Sequence, residues 1–364
     1  MSKVHSLIMN KKSLIIPAAG RSSRFSGTKP KWLLTHPEGG LMVTKSLACI
    51  DFDSADKIYL AILKEHLENF CSVSGIKKAF KKIGIEDKLE IVVLENQTSS
   101  QPETVSKVIE LNNIEGSIFV KDVDSYFECN IPWNNSVAVY DLNNMDLAHA
   151  KNKSYVTIDD NGIINNIVEK QVISSKFCVG GYGFSSSKDF MKFFSQLDSD
   201  KEFYISHIIF KMILNGNTFS AFSVNNFMDW GTLKEWNRFK STYSTLFVDI
   251  DGTLVKNCSE FFEPQWGSSE PIKENIDKIN QMYDSGRTKV ILTTARSTKY
   301  NRQTKAQLQR IGLRYHQIIY DLYHAKRIII NDYANSNPYK SCDSINIRRD
   351  SSDLADMLND CIGE

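Results

Sequence analysis

Two short apolar runs constrain this chain more than any other feature. Residues 13–17 (SLIIP) open into AAGRSSRFSGTKPK, and residues 245–248 (TLFV) open into DIDGTLVKN. In each case a strand-sized stretch gives way at once to small and charged residues. This is the layout of a buried strand whose C-terminal end delivers a site loop, where ligands of open parallel α/β sheets sit. Further strand-sized runs follow the first at 57–63, 89–94, 117–120, 136–140, 155–158 and 163–168. Others follow the second at 289–293, 317–320 and 327–330. Amphipathic stretches at 102–111, 273–283 and 304–311 read as helices between them, and 350–362 as a closing helix. The alternation predicts the α/β class with two domains, residues 1–240 and 241–364, divided after a helix-like segment at 233–240.

The length of 364 residues fits two domains of unequal size. With 44 Lys and Arg against 43 Asp and Glu, the formal charge is +1, which argues against nucleic acid or an anionic membrane as partner. The longest apolar runs are too short to span a bilayer, and the N-terminus lacks the pattern of a secretory signal. Seven cysteines are scattered without CxxC spacing, so neither a disulfide framework nor a structural zinc site is expected. A reducing, cytoplasmic setting is the expectation. The sequence leaves the oligomeric state open, a homodimer included.

In the first loop, Ala19, Gly20, Arg21, Ser22 and Ser23 supply small residues and backbone amides that can approach a phosphate chain closely. Arg24 and Lys31 carry charge suited to phosphoryl-type transfer. The full string AAGRSSRF…KPKWLL resembles the N-terminal signature of sugar-phosphate nucleotidyltransferases. Gly20 matches that family's first glycine, Arg24 its catalytic arginine and Lys31 its lysine; Ser22 stands where many members have a second glycine. Three later segments follow in the family's order. LENQTSSQPETVSKVIE resembles the base-reading segment, with Gln97, Thr98 and Glu103 as candidates. SIFVKDVDSYFE places Asp124 at the metal-binding position, and Asp122 matches less well. NFMDWGTLKEW offers Asp229 as the second metal carboxylate. Between them, Glu169 and Lys170 match an acceptor-binding pair, and CVGGYGF, with Gly181, resembles the loop behind the acceptor. The resemblance implies a GT-A-like or Rossmann-like domain with a mixed sheet, and a Mg²⁺ held by the two aspartates.

The second loop carries a denser pattern. A strand through residue 248 delivers Asp249, turns Ile250 into the core and returns Asp251 to the same side. Asp249 then suits nucleophilic attack on phosphorus and Asp251 protonation of the leaving alcohol. Two carboxylates this close call for Mg²⁺. The Asp-x-Asp-Gly-Thr string resembles the haloacid-dehalogenase-like phosphatases. KVILTTARS follows with Thr294 at the phosphate-binding position and Thr293 as the alternative. LYHAKRIIINDYA follows with Lys326 and the metal carboxylate Asp332, while Asn331 replaces an acid often found beside it. The short stretch between Asp251 and Thr294 implies a Rossmann-like parallel sheet with a minimal cap.

Together the resemblances imply a bifunctional enzyme. One activity joins a nucleoside triphosphate to a phosphorylated sugar, polyol or similar acceptor with release of pyrophosphate, CTP being favoured over GTP or UTP. The other hydrolyses a phosphomonoester, and both use Mg²⁺. A role in bacterial capsule or other surface-polysaccharide precursor synthesis is the implied setting. A single-activity enzyme with a regulatory second domain, or a nucleotide-sugar-binding regulator without turnover, remains the alternative.

Overall fold

The computed structural model describes residues 11–20, 25, 29–144, 152–197, 203–332 and 341–362. The chain divides into two compact units, Met1–Trp236 and Asn237–Glu364.

In the first unit the chain runs β1 (Lys12–Pro17), α1 (Met42–Leu47), β2 (Ile50–Asp51), β3 (Lys57–Leu63), α2 (Lys64–Asn69), α3 (Val73–Lys81), β4 (Leu89–Leu94), α4 (Gln101–Leu111), β5 (Ser117–Lys121) and β6 (Ser125–Asn130). It continues with β7 (Ser136–Asp141), β8 (Ser154–Ile158), β9 (Ile164–Glu169), β10 (Lys176–Phe184), α5 (Ser187–Phe194), α6 (Ile205–Leu214), β11 (Ser220–Ser223), β12 (Asn225–Asp229) and α7 (Leu233–Ser241), whose last turns belong to the second unit. Leu14, Ile15 and Ile16 have no exposed surface, because β1 pairs in parallel with β3 on one side and β5 on the other. A strand covered on both faces reads as an unbroken apolar run, which is why it stands out in the sequence.

The main sheet is mixed, in the order β11-β7-β10-β5-β1-β3-β4, with the β8–β9 hairpin joined through β10. β10 runs antiparallel to both β5 and β7. On one face Ile15, Val120 and Tyr182 pack with Val105 and Val108 of α4, Phe190 of α5 and Ile208 of α6. On the other, Leu14, Ile16 and Leu60 pack with Val43, Leu47, Ile76 and Phe80. A separate three-stranded sheet, β12-β6-β2, stands where the β5–β6 turn and the end of β12 meet.

One expectation is corrected here. The segment CVGGYGF is part of the buried strand β10, not a loop. Its glycines disguise the strand, since they carry no side chain to show alternation, and they are required by packing. A Cβ on Gly181 would lie 2.8 Å from the Phe127 ring and 3.0 Å from Phe119. Gly180 has φ +87°, and a Cβ there would meet the Asp122 carboxylate at 2.5 Å.

The second unit has a three-stranded parallel sheet, β13 (Ser244–Asp249), β14 (Thr288–Thr293) and β15 (Gln317–Ile319). Helices α8 (Lys273–Asp284), α9 (Asn301–Arg310) and α10 (Leu354–Ile362) accompany it. Val248, Ile250, Ile276, Ile279, Val290, Leu292, Leu308 and Leu358 form its core. The strand expected at 327–330 is absent. Ile328 and Ile330 are 74% and 91% exposed, and no ladder pairs this segment with β13. Its β-branched residues carry strand propensity, but propensity without a partner edge does not make a strand. No described helix is long and apolar enough to cross a membrane.

Candidate functional site

The first site grows from three strand ends. Beyond β1, Ala18 N donates to Ala61 O at 2.8 Å, Ala19 is fully buried and Gly20 is exposed. Arg21, Ser22, Ser23 and Arg24 lie outside the described residues. Lys31 starts a 3-10 turn, Lys31–Leu33, anchored by the buried Trp32 and Leu33 and fixed by Pro30 before it. This turn aims Lys31 Nζ at Asp124 Oδ2, 2.5 Å away.

Asp124 sits in the turn between β5 and β6, and a buried lysine organises that turn. Lys121, with no exposed surface, donates from Nζ to Asp122 O (2.7 Å), Ser125 O (2.6 Å) and Ser125 Oγ (3.0 Å). Its ammonium also stands 4.4 Å from the Phe127 ring centroid. Burial pulls its pKa down to about 8, against the pull of Asp122 and Asp124. Asp122 is held by Gln101 Nε2 from the start of α4, and its amide donates to Gly180 O at 2.8 Å. Burial raises the Asp122 pKa, Asp124 adds to the rise, and Lys121 and Gln101 oppose it.

Asp229 ends β12 opposite Ser125, and the next residue, Trp230, donates from N to Asp124 O at 2.8 Å. The two aspartates thus occupy neighbouring positions across one ladder. Asp229 accepts from Gly231 N at 3.0 Å and pairs with Lys153 Nζ. Among the described residues no group of three His, Cys, Asp or Glu side chains is placed to hold a metal. Magnesium does not need one: it takes one or two carboxylates and completes its shell with phosphate oxygens and water. Two hard-oxygen acids at adjoining strand ends fit that ion.

At the end of β9, Glu169 accepts from Ser206 Oγ at 2.8 Å and from Ser154 Oγ. Lys170 has φ +56°, and its Nζ reaches Tyr204 Oη and stands 4.3 Å from that ring's centroid. The base-reading candidates sit around the start of α4. Thr98 is buried with its hydroxyl 2.6 Å from that of Thr104. Glu103 accepts from Ser99 N and Oγ at 2.6 and 2.7 Å and pairs with Lys107, fastening the start of α4. Burial raises the Glu103 pKa, yet the bonds from Lys107 and Ser99 outweigh it and leave it low. Gln97 is exposed, and Gly181 lies within β10, paired with Lys121 of β5.

In the second unit Asp249 ends β13 opposite Thr293, and Gly252 N donates to Val255 O at 2.7 Å in the tight turn that follows. Gly252 has φ +87°, and a Cβ there would lie 2.8 Å from Arg349 Cγ. Ile250 is fully buried, so the two acids return to one side as expected. Asp251 is the hub of a network. Arg296 donates to it from Nε (3.0 Å to Oδ2) and Nη2 (2.7 Å to Oδ1), Cys258 Sγ from 2.9 Å and Thr294 Oγ1 from 3.4 Å. Arg296 has no exposed surface and spends Nη1 on Gln307 and Thr304 of α9. Burial raises the Cys258 thiol to about 12, and its bond to Asp251 adds to the rise. Asp249 lies above the usual carboxylate range because of burial, with Arg327 opposing.

The structure brings Asp249, Asp251 and Thr294 together but does not assemble the rest of the expected set. Arg327, not Lys326, reaches Asp249, with Nη2 2.9 Å from Oδ1. Asp332 is exposed and bonded locally, its carbonyl accepting from Ser341 Oγ. The cause is the missing strand at 327–330, which leaves Lys326 and Asp332 on irregular backbone. Asp249, Asp251 and Asp332 therefore do not form a Mg²⁺ donor set in this arrangement. Sequence reasoning missed Lys121, Lys153, Gln101, Arg296 and Arg327. Only Arg296 carried a signal, as a basic residue two positions past Thr294 at a strand end.

No protein-family model matches the sequence, and no curated protein does. Solved structures do match. A nucleoside-diphosphate-sugar pyrophosphorylase from Vibrio cholerae RC9 superposes with TM-score 0.52 at 20% identity, over 62% of this chain and 98% of its own. A Bacillus anthracis protein described as a glucose-1-phosphate thymidylyltransferase, solved with sucrose, gives TM-score 0.51 at 18% identity, over 63% and 93%. At this identity the likeness is one of fold: a mixed α/β architecture over a share of the chain close to that of the first unit.

Proposed function

We propose that the chain is a bifunctional enzyme whose first unit transfers a nucleotidyl group to a phosphorylated acceptor. The observation that carries this reading is the placement of Asp124 and Asp229 on adjoining strand ends, each paired with a lysine. The fold shared with the pyrophosphorylase supports it. An acceptor phosphate oxygen attacks the α-phosphorus in line, and the bond to the bridging oxygen breaks, so pyrophosphate leaves with the electron pair. Magnesium, when bound, supplies charge neutralisation on the phosphates. Lys31 donates to the phosphate chain, Asp124 and Asp229 anchor the cation, and Lys121 holds the turn so that Asp124 keeps its position. Glu169 and Lys170 face the acceptor. The sequence resemblance favours CTP over GTP or UTP and a sugar or polyol phosphate as acceptor, with capsule or other surface-polymer precursors as the setting. A matrix of nucleotides against acceptors, read by Mg²⁺-dependent pyrophosphate release, tests this; no release in any cell of the matrix rejects it.

The second unit is read as a phosphomonoesterase. Asp249 attacks phosphorus to form an aspartyl phosphate, the alcohol leaves, and water hydrolyses the acyl phosphate. Protonation of the leaving oxygen by Asp251 requires that acid to give up one of the donors it now accepts. Phosphate release lost in Asp249→Asn, with pyrophosphate release retained, is the expected result. The scattered positions of Lys326 and Asp332 favour one second reading, a single-activity nucleotidyltransferase whose other unit regulates it; absence of phosphate release from a broad acceptor panel would select it.

A further inference from the structure

Each carboxylate of the first site already has a cation of its own. Lys31 Nζ is 2.5 Å from Asp124, and Lys153 Nζ pairs with Asp229. The four side chains are 19% and 13% exposed for Lys31 and Asp124, and 22% and 9% for Lys153 and Asp229. Lys153 precedes β8, its carbonyl accepts from Lys170 N at 3.0 Å, and its ammonium stands 5.6 Å from the Phe227 ring centroid. It thus links the acceptor pair to the second carboxylate. A lysine in such a place is a compact charge on a flexible stem and can leave its partner without unfolding anything.

We propose that Lys31 and Lys153 are resident counter-cations that keep free divalent metal off the Asp124–Asp229 pair until phosphate draws their ammonium groups away. The proposal rests on the nucleotidyltransferase reading. Counted by themselves, the two carboxylates and two ammonium groups carry no net charge, so a free divalent ion gains less there than at bare carboxylates and is repelled by both lysines at close range. A triphosphate changes the balance. Its oxygens accept charge-assisted hydrogen bonds from the lysines, and the carboxylates are released to the metal that arrives with it. Metal and phosphate then bind with positive coupling, each raising the affinity of the other by the same factor. The unit would take up the metal–nucleotide complex in preference to the bare ion. Lys153, on the acceptor side, passes to the acceptor phosphate.

The test is Mn²⁺ binding to the full chain without nucleotide, read from the electron paramagnetic resonance signal of the free ion. Lys153→Met removes the competitor and leaves Asp229 unpaired, so Mn²⁺ should bind about tenfold more tightly than to the wild type, one unit of coupling at partial exposure. Lys153→Arg should stay as weak as wild type, and adding Asp229→Asn to Lys153→Met should abolish the gain, which locates it at this site. If Lys153→Met fails to fold, Lys153→Gln gives the same reading. Mn²⁺ affinity unchanged or weakened in the neutral variants overturns the proposal. Pyrophosphate release by the wild type separates the two failures. Unchanged Mn²⁺ affinity with intact release rejects the counter-cation role alone; no release rejects the enzymatic reading, whatever the Mn²⁺ titration gives.

Discussion

The two units solve one problem in different ways. Both bring acidic residues to the end of a strand and must neutralise them. The first unit uses lysines at partial exposure, Lys31 on Asp124 and Lys153 on Asp229. In the second, Asp249 has the exposed Arg327, but Asp251 has Arg296, which is wholly buried and divides its donors between Asp251 and the α9 residues Thr304 and Gln307. A lysine ammonium can be exchanged for another ligand; a guanidinium fork locked into a core cannot. The first arrangement suits acids that must change partners during a reaction, and the second suits an acid whose position must not change.

The contrast can be broken most sharply at the acids themselves. Asp124→Asn is expected to cut pyrophosphate release roughly a thousandfold, the scale of losing a main electrostatic contribution to a charged transition state, with the melting profile little changed. The next largest effect belongs to the second unit. Arg296→Met leaves Asp251 without its buried partner and should cost about 3–5 kcal/mol of that unit's stability, measured by urea unfolding. Arg296→Lys should not restore it, since one ammonium cannot reach Asp251 and α9 together. If Arg296→Met unfolds at the wild-type urea midpoint, the distinction between exchangeable and fixed pairing fails.

Acid should separate the units further. His36 and His66 of the first unit have pKa values lowered from 6.5 to about 4, chiefly by burial. Each accepts at Nδ1, from Glu38 N at 3.1 Å and from Trp32 Nε1 at 3.2 Å, and protonation would cancel both bonds. Because the unfolded chain takes up these protons first, their contribution is complete above pH 6.5 and declines as pH falls toward 4. The slope is at most about 1.4 kcal/mol per pH unit for each histidine. Thermal melts across that range should show the first unit weakening, and His66→Gln should flatten its slope. The smallest effect is expected at Thr98→Val, which breaks the buried hydroxyl pair with Thr104 for about 1 kcal/mol while leaving the nucleotide KM unchanged. A large rise in that KM would return Thr98 to the base-reading role the sequence suggested.

What could be read in the sequence follows from local physics. The strands at 57–63 and 89–94 appear as β3 and β4 with the bounds expected, because apolar stretches bounded by turn residues mark strands clearly, even at the sheet edge where Glu90 and Val93 of β4 are exposed. β10 was hidden by Gly180, Gly181 and Gly183, whose absence of side chains serves packing that only the folded sheet reveals. The run at 327–330 misled in the opposite sense, since its isoleucines signal a strand while pairing depends on a partner edge far away in sequence. Asp249 could be picked out because it ends an apolar run, and Asp251 because it returns to the same side two residues on, whereas Asp124 and Asp229 were legible only through the resemblance of their segments to a known family. Lys121, Lys153 and Arg296 could not be assigned their work, because a buried or paired cation is defined by neighbours that come from other strands and helices.

The proposed function assigns a separate reaction to each of two acidic centres. The direct test is to assay pyrophosphate release and phosphate release side by side in the wild type, Asp124→Asn and Asp249→Asn. Asp124→Asn should lose the first activity and keep the second, and Asp249→Asn should do the reverse. Undiminished pyrophosphate release in Asp124→Asn, at saturating Mg²⁺ and nucleotide, would contradict the account at its centre.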